Sequence, residues 1–228
     1  MEHAITKLIN IDPLWPQVLA SVHAAVPETK AIVCYGSRVG GCANDDSDYD
    51  IIIVTAQQWP WSKQIRLEQD LSQVVGKDVD ARVISAKGLR DLRLMDPHVH
   101  FALATGIIVG ESEIVDGHAP LALNGILNML ENVELELEDL DLYEGQDTRI
   151  EQLRKCVRDL IVIGQILKGN YSTRTYHERI NETLGNVDAD DEQRLLQIVR
   201  NMLRVIKGHV GHMPVNNSDR YLEVIINS

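Results

Sequence analysis

Short apolar runs and helical stripes alternate along the first half of the chain. Leu14, Val18, Leu19, Val22 and Val26 recur at helical spacing. Asp12-Pro13 just ahead of them supplies an N-cap and a first-turn proline. Ala31-Ile32-Val33-Cys34-Tyr35 is a continuous apolar run ending at Gly36, the pattern of a buried strand. A loop rich in Gly, Asn and Asp follows from Gly40 to Asp46, and a second strand from Asp48 to Val54. Pro60 opens a helix whose apolar face includes Ile65, Leu67, Leu71 and Val74, and Gly76-Lys77 breaks it. Val79 to Ile84 alternates as a third strand. Residues 85–94 and 97–105 read as helices, and Ile107 to Val109 as a short strand closed by Gly110.

Beyond about Gly117 the texture changes. Helical patterns cover 121–143, 150–167, 176–184 and 192–209, with Gly145, Gly169-Asn170 and Gly185-Asn186 between them. The one strand suggested there is short, over 221–226. No internal repeat or low-complexity tract interrupts the pattern. The expected architecture is α+β: a small mixed β-sheet with flanking helices over residues 1–117, followed by an α-helical bundle domain over 118–228.

The chemistry concentrates where the first strand passes into the second. Gly36-Ser37-Arg38, Gly41 and Ser47-Asp48-Tyr49-Asp50 read as strand, small-residue turn, loop and strand. Asp48 and Asp50 stand two apart on a strand, so their side chains leave one face, with Cα atoms about 7 Å apart. Paired oxygen ligands of this kind suit Mg²⁺, which takes one or two carboxylates plus substrate phosphates. Gly36 permits close approach of the backbone to a phosphate, and Ser37 can donate hydrogen bonds to it. Asp80, on the third strand, adds a carboxylate if that strand lies beside the second. Three convergent carboxylates can hold two Mg²⁺ ions for in-line phosphoryl transfer, and one can take a proton from an acceptor hydroxyl. Asp78 lies on the same strand face as Asp80. Asp80 is preferred because Val79 and Ala81 flank it.

The segment from Gly36 to Asp50 resembles the G-S…G…S-D-x-D signature of the DNA polymerase β-like nucleotidyltransferase superfamily, most closely its minimal and kanamycin-type branches. The resemblance extends over roughly residues 12–110 through the order of strands and helices. One departure is Val39-Gly40, where many minimal members have a small residue before the loop glycine. The resemblance implies a magnesium-dependent transfer of a nucleoside monophosphate from a nucleoside triphosphate, with ATP expected, to a hydroxyl acceptor. The implied roles are nucleotide binding for Gly36 and Ser37, and metal binding and catalysis for Asp48, Asp50 and Asp80. Arg38 joins the nucleotide-binding set as a phosphate contact, or else pairs with a nearby acid. The acceptor is expected to be a small molecule. A protein hydroxyl, as in antitoxin-type adenylyltransferases, is the alternative, and a non-enzymatic nucleotide-binding or interaction protein is the third.

Charge narrows the partners. The formal net charge of −12 argues against a long nucleic-acid track, which needs many Lys and Arg. Cys34, Cys42 and Cys156 are isolated, which argues against a disulfide framework or a structural zinc site. The first ten residues lack the apolar core of a signal peptide. No apolar run approaches the roughly 20 residues of a membrane span, so the plain reading is a soluble cytoplasmic protein. The acid-rich stretch 131–147 reads either as a solvated helix face or as a wall for a cationic acceptor. Its interleaved Leu130, Val133, Leu137 and Leu140 favour the solvated face. His98 and His100 diverge on a helix, which excludes a shared metal. Arg204 and His209 have the Arg-x4-His spacing of HEPN ribonucleases but lack the polar residue that usually follows the Arg. The polar and aromatic stretch 169–179 either lines an acceptor site or caps two helices.

Overall fold

The structure, a computed structural model, describes residues 2–115, 121–185, 187–188 and 191–212. The expected domain boundary at 117/118 and the expected short strand over 221–226 lie outside the described residues. The chain falls into two units. One is Met1–Arg93 with Ala102–Ala119 and Ser172–Arg174; the other is Leu94–Phe101 with Pro120–Tyr171 and Thr175–Ser228.

The first unit opens with helices α1 (Glu2–Ile11) and α2 (Trp15–Ala25), then strand β1 (Ala31–Tyr35) and a single turn, α3 (Gly36–Gly40). Strand β2 (Tyr49–Thr55), helix α4 (Trp61–Val75), strand β3 (Val79–Ser85) and helices α5 (Ala86–Met95) and α6 (Pro97–Thr105) follow, then β4 (Ile107–Gly110) and the short α7 (Ser112–Val115); the end of α5 and the start of α6, Leu94–Phe101, belong to the second unit. The sheet is mixed, in the order β3-β2-β1-β4. β1 runs antiparallel to β2 and β4, and β2 parallel to β3. Alternation on β2 turns Tyr49, Ile51 and Ile53 to one face. There they join Ile32, Cys34, Ala81 and Val83 in a core closed by Leu8, Trp15, Val18, Val22, Leu67 and Leu71. Gly76, with φ 72°, ends α4 by capping on Ser72 O, as its place in the sequence suggests.

α4 also closes the outer side of β3. Ser72 Oγ accepts from Val79 N–H at 3.0 Å, and Gln64 Oε1 from Val83 N–H at 3.1 Å. Between them the Glu68 carboxylate accepts from Ala81 N–H. Positions 64, 68 and 72 stack four apart on one helix face, matching strand N–H groups that point outward at every second residue. Gln58 completes the series, accepting from Ser85 N–H and donating to Val83 O, each at 3.1 Å.

The second unit holds α8 (Leu123–Glu138), a 3₁₀ turn at Leu140–Leu142, α9 (Gln146–Leu167), most of α10 (Thr173–Leu184) and α11 (Glu192–Gly211). Ile126, Leu130 and Val133 of α8 pack with Leu153, Val157, Leu160 and Ile163 of α9 and with Leu195, Val199, Leu203 and Ile206 of α11. Arg149 and Glu192 pair across α9 and α11 at 3.0 Å. Among the described residues no helix is long and apolar enough to cross a membrane.

Candidate active site

β1 delivers the chain to Gly36, whose φ of 77° lies in the region that glycine adopts without a Cβ penalty. The expected small-residue turn is therefore wound as the single helical turn α3. Gly41, with φ 69°, caps it through Ser37 O. Ser37 is buried. The loop beyond is pinned by its own side chains: Ser47 Oγ donates to Asn44 Oδ1 at 3.1 Å and accepts from Asn44 N–H at 3.0 Å.

Tyr49 is fully buried on the core face, edge-on to Trp15 at 4.9 Å, with its hydroxyl donating to Asp12 Oδ2 at 2.8 Å. Asp48 and Asp50 on either side of it accordingly leave the opposite face. Register then builds a row: Tyr35 of β1 stands opposite Asp50 of β2, and Asp50 opposite Asp80 of β3. The structure thus brings Gly36, Asp48, Asp50 and Asp80 together. Asp78 precedes β3, and its carbonyl accepts from Tyr49 N–H at 2.9 Å; Asp78 and Asp80 both keep solvent exposure.

Electrostatics mark this row. Burial, then Asp48 and Asp80, push Asp50 up to about 8. Loss of hydration, then Asp48, raise Asp80, while Arg82 pulls it back. Burial and the charges of Asp50 and Asp80 keep the Tyr35 hydroxyl protonated. Three carboxylates crowd one another without full compensation by cationic side chains, which is the situation that a bound divalent ion relieves.

Gly36 has a second reason to be glycine. A Cβ there would lie 1.8 Å from Asp50 Oδ2 and 2.6 Å from its Cγ. The space next to the turn glycine, expected from sequence to admit a phosphate, is taken in part by the Asp50 carboxylate. Sequence spacing could not show this, because it depends on how β1 and β2 pair.

Of the two readings open for Arg38, the structure displays the ion pair. Arg38 is 8% exposed. Its Nη1 donates to Asp12 Oδ2 at 2.8 Å, and its Nε to Ser47 O at 3.0 Å and Asp48 O at 3.1 Å. Nη2 donates to Ser47 O at 2.5 Å, and the guanidinium stacks 4.2 Å from the Tyr49 ring centre. Arg38 is directed beneath the loop, away from the role of an open phosphate contact.

The donor chemistry at Asp48 and Asp50 fits Mg²⁺, a hard cation that keeps part of its shell for water and substrate phosphate. Among the described residues no group of three or more His, Cys, Asp or Glu side chains is gathered into a cage for one ion. The fit is therefore to a metal shared between one or two carboxylates and a triphosphate.

Three residues near the row escaped sequence reasoning or were underread. Asp12 was expected as an N-cap, but α2 starts at Trp15 with Leu14 in the cap position and no side-chain cap; Asp12 instead accepts from Leu14 N–H at 2.9 Å and anchors Arg38 and Tyr49. Tyr35 reads as the end of a strand, and only register sets it beside Asp50. Glu68 is half-buried and raised by that partial burial and by Asp80, with Ala81 N–H pulling it back. Its one signal is a polar residue four from Gln64 and Ser72 beside an apolar stripe.

In the helical unit His98 pairs with Asp159 at 2.9 Å and His100 meets the Tyr171 hydroxyl at 3.0 Å, so the two histidines serve different partners. Arg204 and His209 are both exposed on α11. In the 169–179 stretch, the buried amide of Gln165, oriented to satisfy both its ends, donates to Asn170 O at 3.1 Å and accepts from Arg179 Nε at 3.0 Å. That is the capping arrangement. Leu130, Val133 and Leu140 are buried while Glu131, Glu138 and Asp139 are exposed. The acid-rich stretch is thus largely a solvated face, although Glu136 and Asp139 also line an open cavity of about 600 Å³.

Residues 17–93 match the family model described as Polymerase beta, Nucleotidyltransferase. No curated protein sequence matches the chain. Among solved structures, a spectinomycin adenyltransferase from Enterococcus faecialis with ATP and spectinomycin is similar at 12% identity and a TM-score of 0.48, covering 91% of this chain and 99% of that one. A chain of a toxin–antitoxin with AMP-PNP is similar at 17% identity and a TM-score of 0.35, covering 56% of this chain and 93% of that one. A chain from the tri-AMPylated Shewanella oneidensis HEPN toxin in complex with MNT antitoxin is similar at 16% identity and a TM-score of 0.35, covering 58% and 94%.

Proposed function

We propose that the chain transfers a nucleoside monophosphate from a nucleoside triphosphate, ATP first among them, to a hydroxyl acceptor, a reading supported by the match of residues 17–93 to the Polymerase beta, Nucleotidyltransferase family model. The observation that carries the proposal is the row in which Asp80 stands opposite Asp50 across parallel strands, with Asp48 two residues before Asp50 on the same face. In this reading Asp48 and Asp50 hold Mg²⁺ together with the triphosphate, and Asp80 completes the metal site or acts as base. The metal supplies charge neutralisation at the attacking and leaving oxygens. Gly36 and Ser37 hold the β- and γ-phosphates, where the first N–H groups of a helical turn have no partner within the turn. The acceptor oxygen bonds to the α-phosphorus, the bond from that phosphorus to the bridging oxygen breaks, and pyrophosphate leaves. The acceptor proton passes to the Asp80 carboxylate.

The acceptor is a small molecule in this reading, because a helical domain follows the nucleotidyltransferase domain in the same chain; a protein hydroxyl is the competing acceptor. Both are tested by incubating the protein with ATP, Mg²⁺ and a cell extract and reading AMP additions on small molecules and on proteins by mass spectrometry. Additions made by the wild type should vanish in Asp48→Asn and in Asp50→Asn at unchanged melting temperature. If the doubly substituted protein adds AMP normally, the metal assignment is wrong. With the acceptor in hand, Asp80→Asn should lower turnover about 10²–10⁴-fold, the usual worth of a general base. Near-normal turnover in Asp80→Asn together with its loss in Asp78→Asn would transfer the role to Asp78.

A further inference from the structure

The loop that carries Asp48 is held from below by groups that touch none of the reacting atoms. Asp12 sits between α1 and α2. One carboxylate oxygen accepts from Leu14 N–H; the other accepts from both Arg38 Nη1 and the Tyr49 hydroxyl, each at 2.8 Å. Arg38 in turn holds the carbonyls of Ser47 and Asp48 through Nε. The ion pair is shielded, with side chains 8% and 16% exposed. The path from Asp12 to the Asp48 backbone is therefore a single guanidinium, gripped at one end by a carboxylate and at the other by two carbonyls, with its central carbon 4.2 Å from the centre of the Tyr49 ring. Tyr49 lies between Asp48 and Asp50, so the same cluster holds the backbone at both metal-facing residues.

We propose that Asp12 is a positioning residue: through Arg38 and Tyr49 it fixes the backbone at Asp48 and Asp50 so that both carboxylates meet the metal that accompanies the nucleotide. The inference rests on the proposed metal-dependent nucleotide site. It makes Arg38 a brace for metal geometry, where the sequence left a phosphate contact and an ion pair both open. A guanidinium is needed because its fork spans separated acceptors, which a lysine ammonium cannot reproduce.

The two roles separate in the affinity for ATP measured calorimetrically with Mg²⁺ and again in EDTA. Asp12→Asn retains an oxygen for Leu14 N–H but loses the charge that grips Arg38; Arg38→Lys retains the charge but loses the fork. Both should shrink the gain in ATP affinity conferred by Mg²⁺ by about 10–100-fold, the usual cost of removing an outer-shell partner, while affinity in EDTA stays at the wild-type value. Should Asp12→Asn fail to fold, Tyr49→Phe, which removes one of the two grips on Asp12 Oδ2, carries the same expectation at smaller size. Wild-type Mg²⁺ gain in the folded variants overturns the brace. So does a loss of EDTA affinity in Arg38→Gln with Asp12→Asn unaffected, since that outcome makes Arg38 a phosphate contact. A wild-type protein whose ATP affinity is indifferent to Mg²⁺ overturns the metal-dependent site itself, and the brace with it.

Discussion

At the scale of single residues, Asp50 carries the clearest physical signature. Its carboxyl is raised to about 8 from about 3.9 in an unfolded chain, so between those values the folded metal-free protein binds more protons than the unfolded one. Stability then falls as pH rises through this window. In EDTA the melting temperature should decrease from about pH 5 to about pH 8, more steeply than in Asp50→Asn; equal slopes would show that Asp50 ionises normally. Mg²⁺ with nucleotide should flatten the slope by favouring the ionised form. Gly36 makes a second residue-level expectation. Alanine there meets both a positive φ and the Asp50 carboxylate 1.8 Å from its Cβ. The backbone strain alone is worth about 1–3 kcal/mol, so Gly36→Ala should melt lower and lose affinity for ATP with Mg²⁺. In urea unfolding, Gly36→Ala should cost less stability in an Asp50→Ala background, because the colliding group is gone. Additive costs would mean that the carboxylate moves aside freely.

At the scale of elements, periodicity carried most of the reading and register carried what periodicity could not. The four strands, α2 and the helices from α4 onward, the short α7 excepted, follow from apolar spacing and from glycine stops such as Gly76. α1 is missing from the sequence reading although Ala4, Ile5, Leu8 and Ile11 recur at helical spacing and pack on the core of the first unit. The D-x-D pair and the turn glycine were legible because they depend on local spacing. The grip of Asp12 on Arg38, the seat of Asp50 against Gly36 and the place of Glu68 beside Asp80 depend on contacts between distant segments, which no window of sequence displays. The helix-to-strand seal on β3 belongs to this second kind, and it is testable. Gln64 is buried and accepts from buried Val83 N–H. Gln64→Leu, with similar bulk but no acceptor, should cost about 1–3 kcal/mol for the orphaned donor, read from the urea midpoint. A midpoint equal to the wild type would mean that water replaces the amide there.

At the scale of the molecule, each unit carries its own apolar cluster, and the helical one contains Leu160 at 0% exposure. Leu160→Ala should destabilise that unit by about 2–5 kcal/mol, seen in thermal unfolding, while ATP affinity with Mg²⁺ stays at the wild-type value below the transition. A parallel loss of ATP affinity would tie nucleotide binding to the integrity of the helical core. The seal on β3 has a consequence at this scale as well. An incoming peptide that tried to lengthen the sheet beside β3 would need the N–H groups of Val79, Ala81, Val83 and Ser85, and all four are already engaged by side chains of its own chain. Neither a strand exchanged from a second copy nor the end of a growing fibril finds a template there. Any partner that docks along β3 has to be recognised mainly through the side chains of α4 and Gln58, because the outward N–H groups of the strand are already taken.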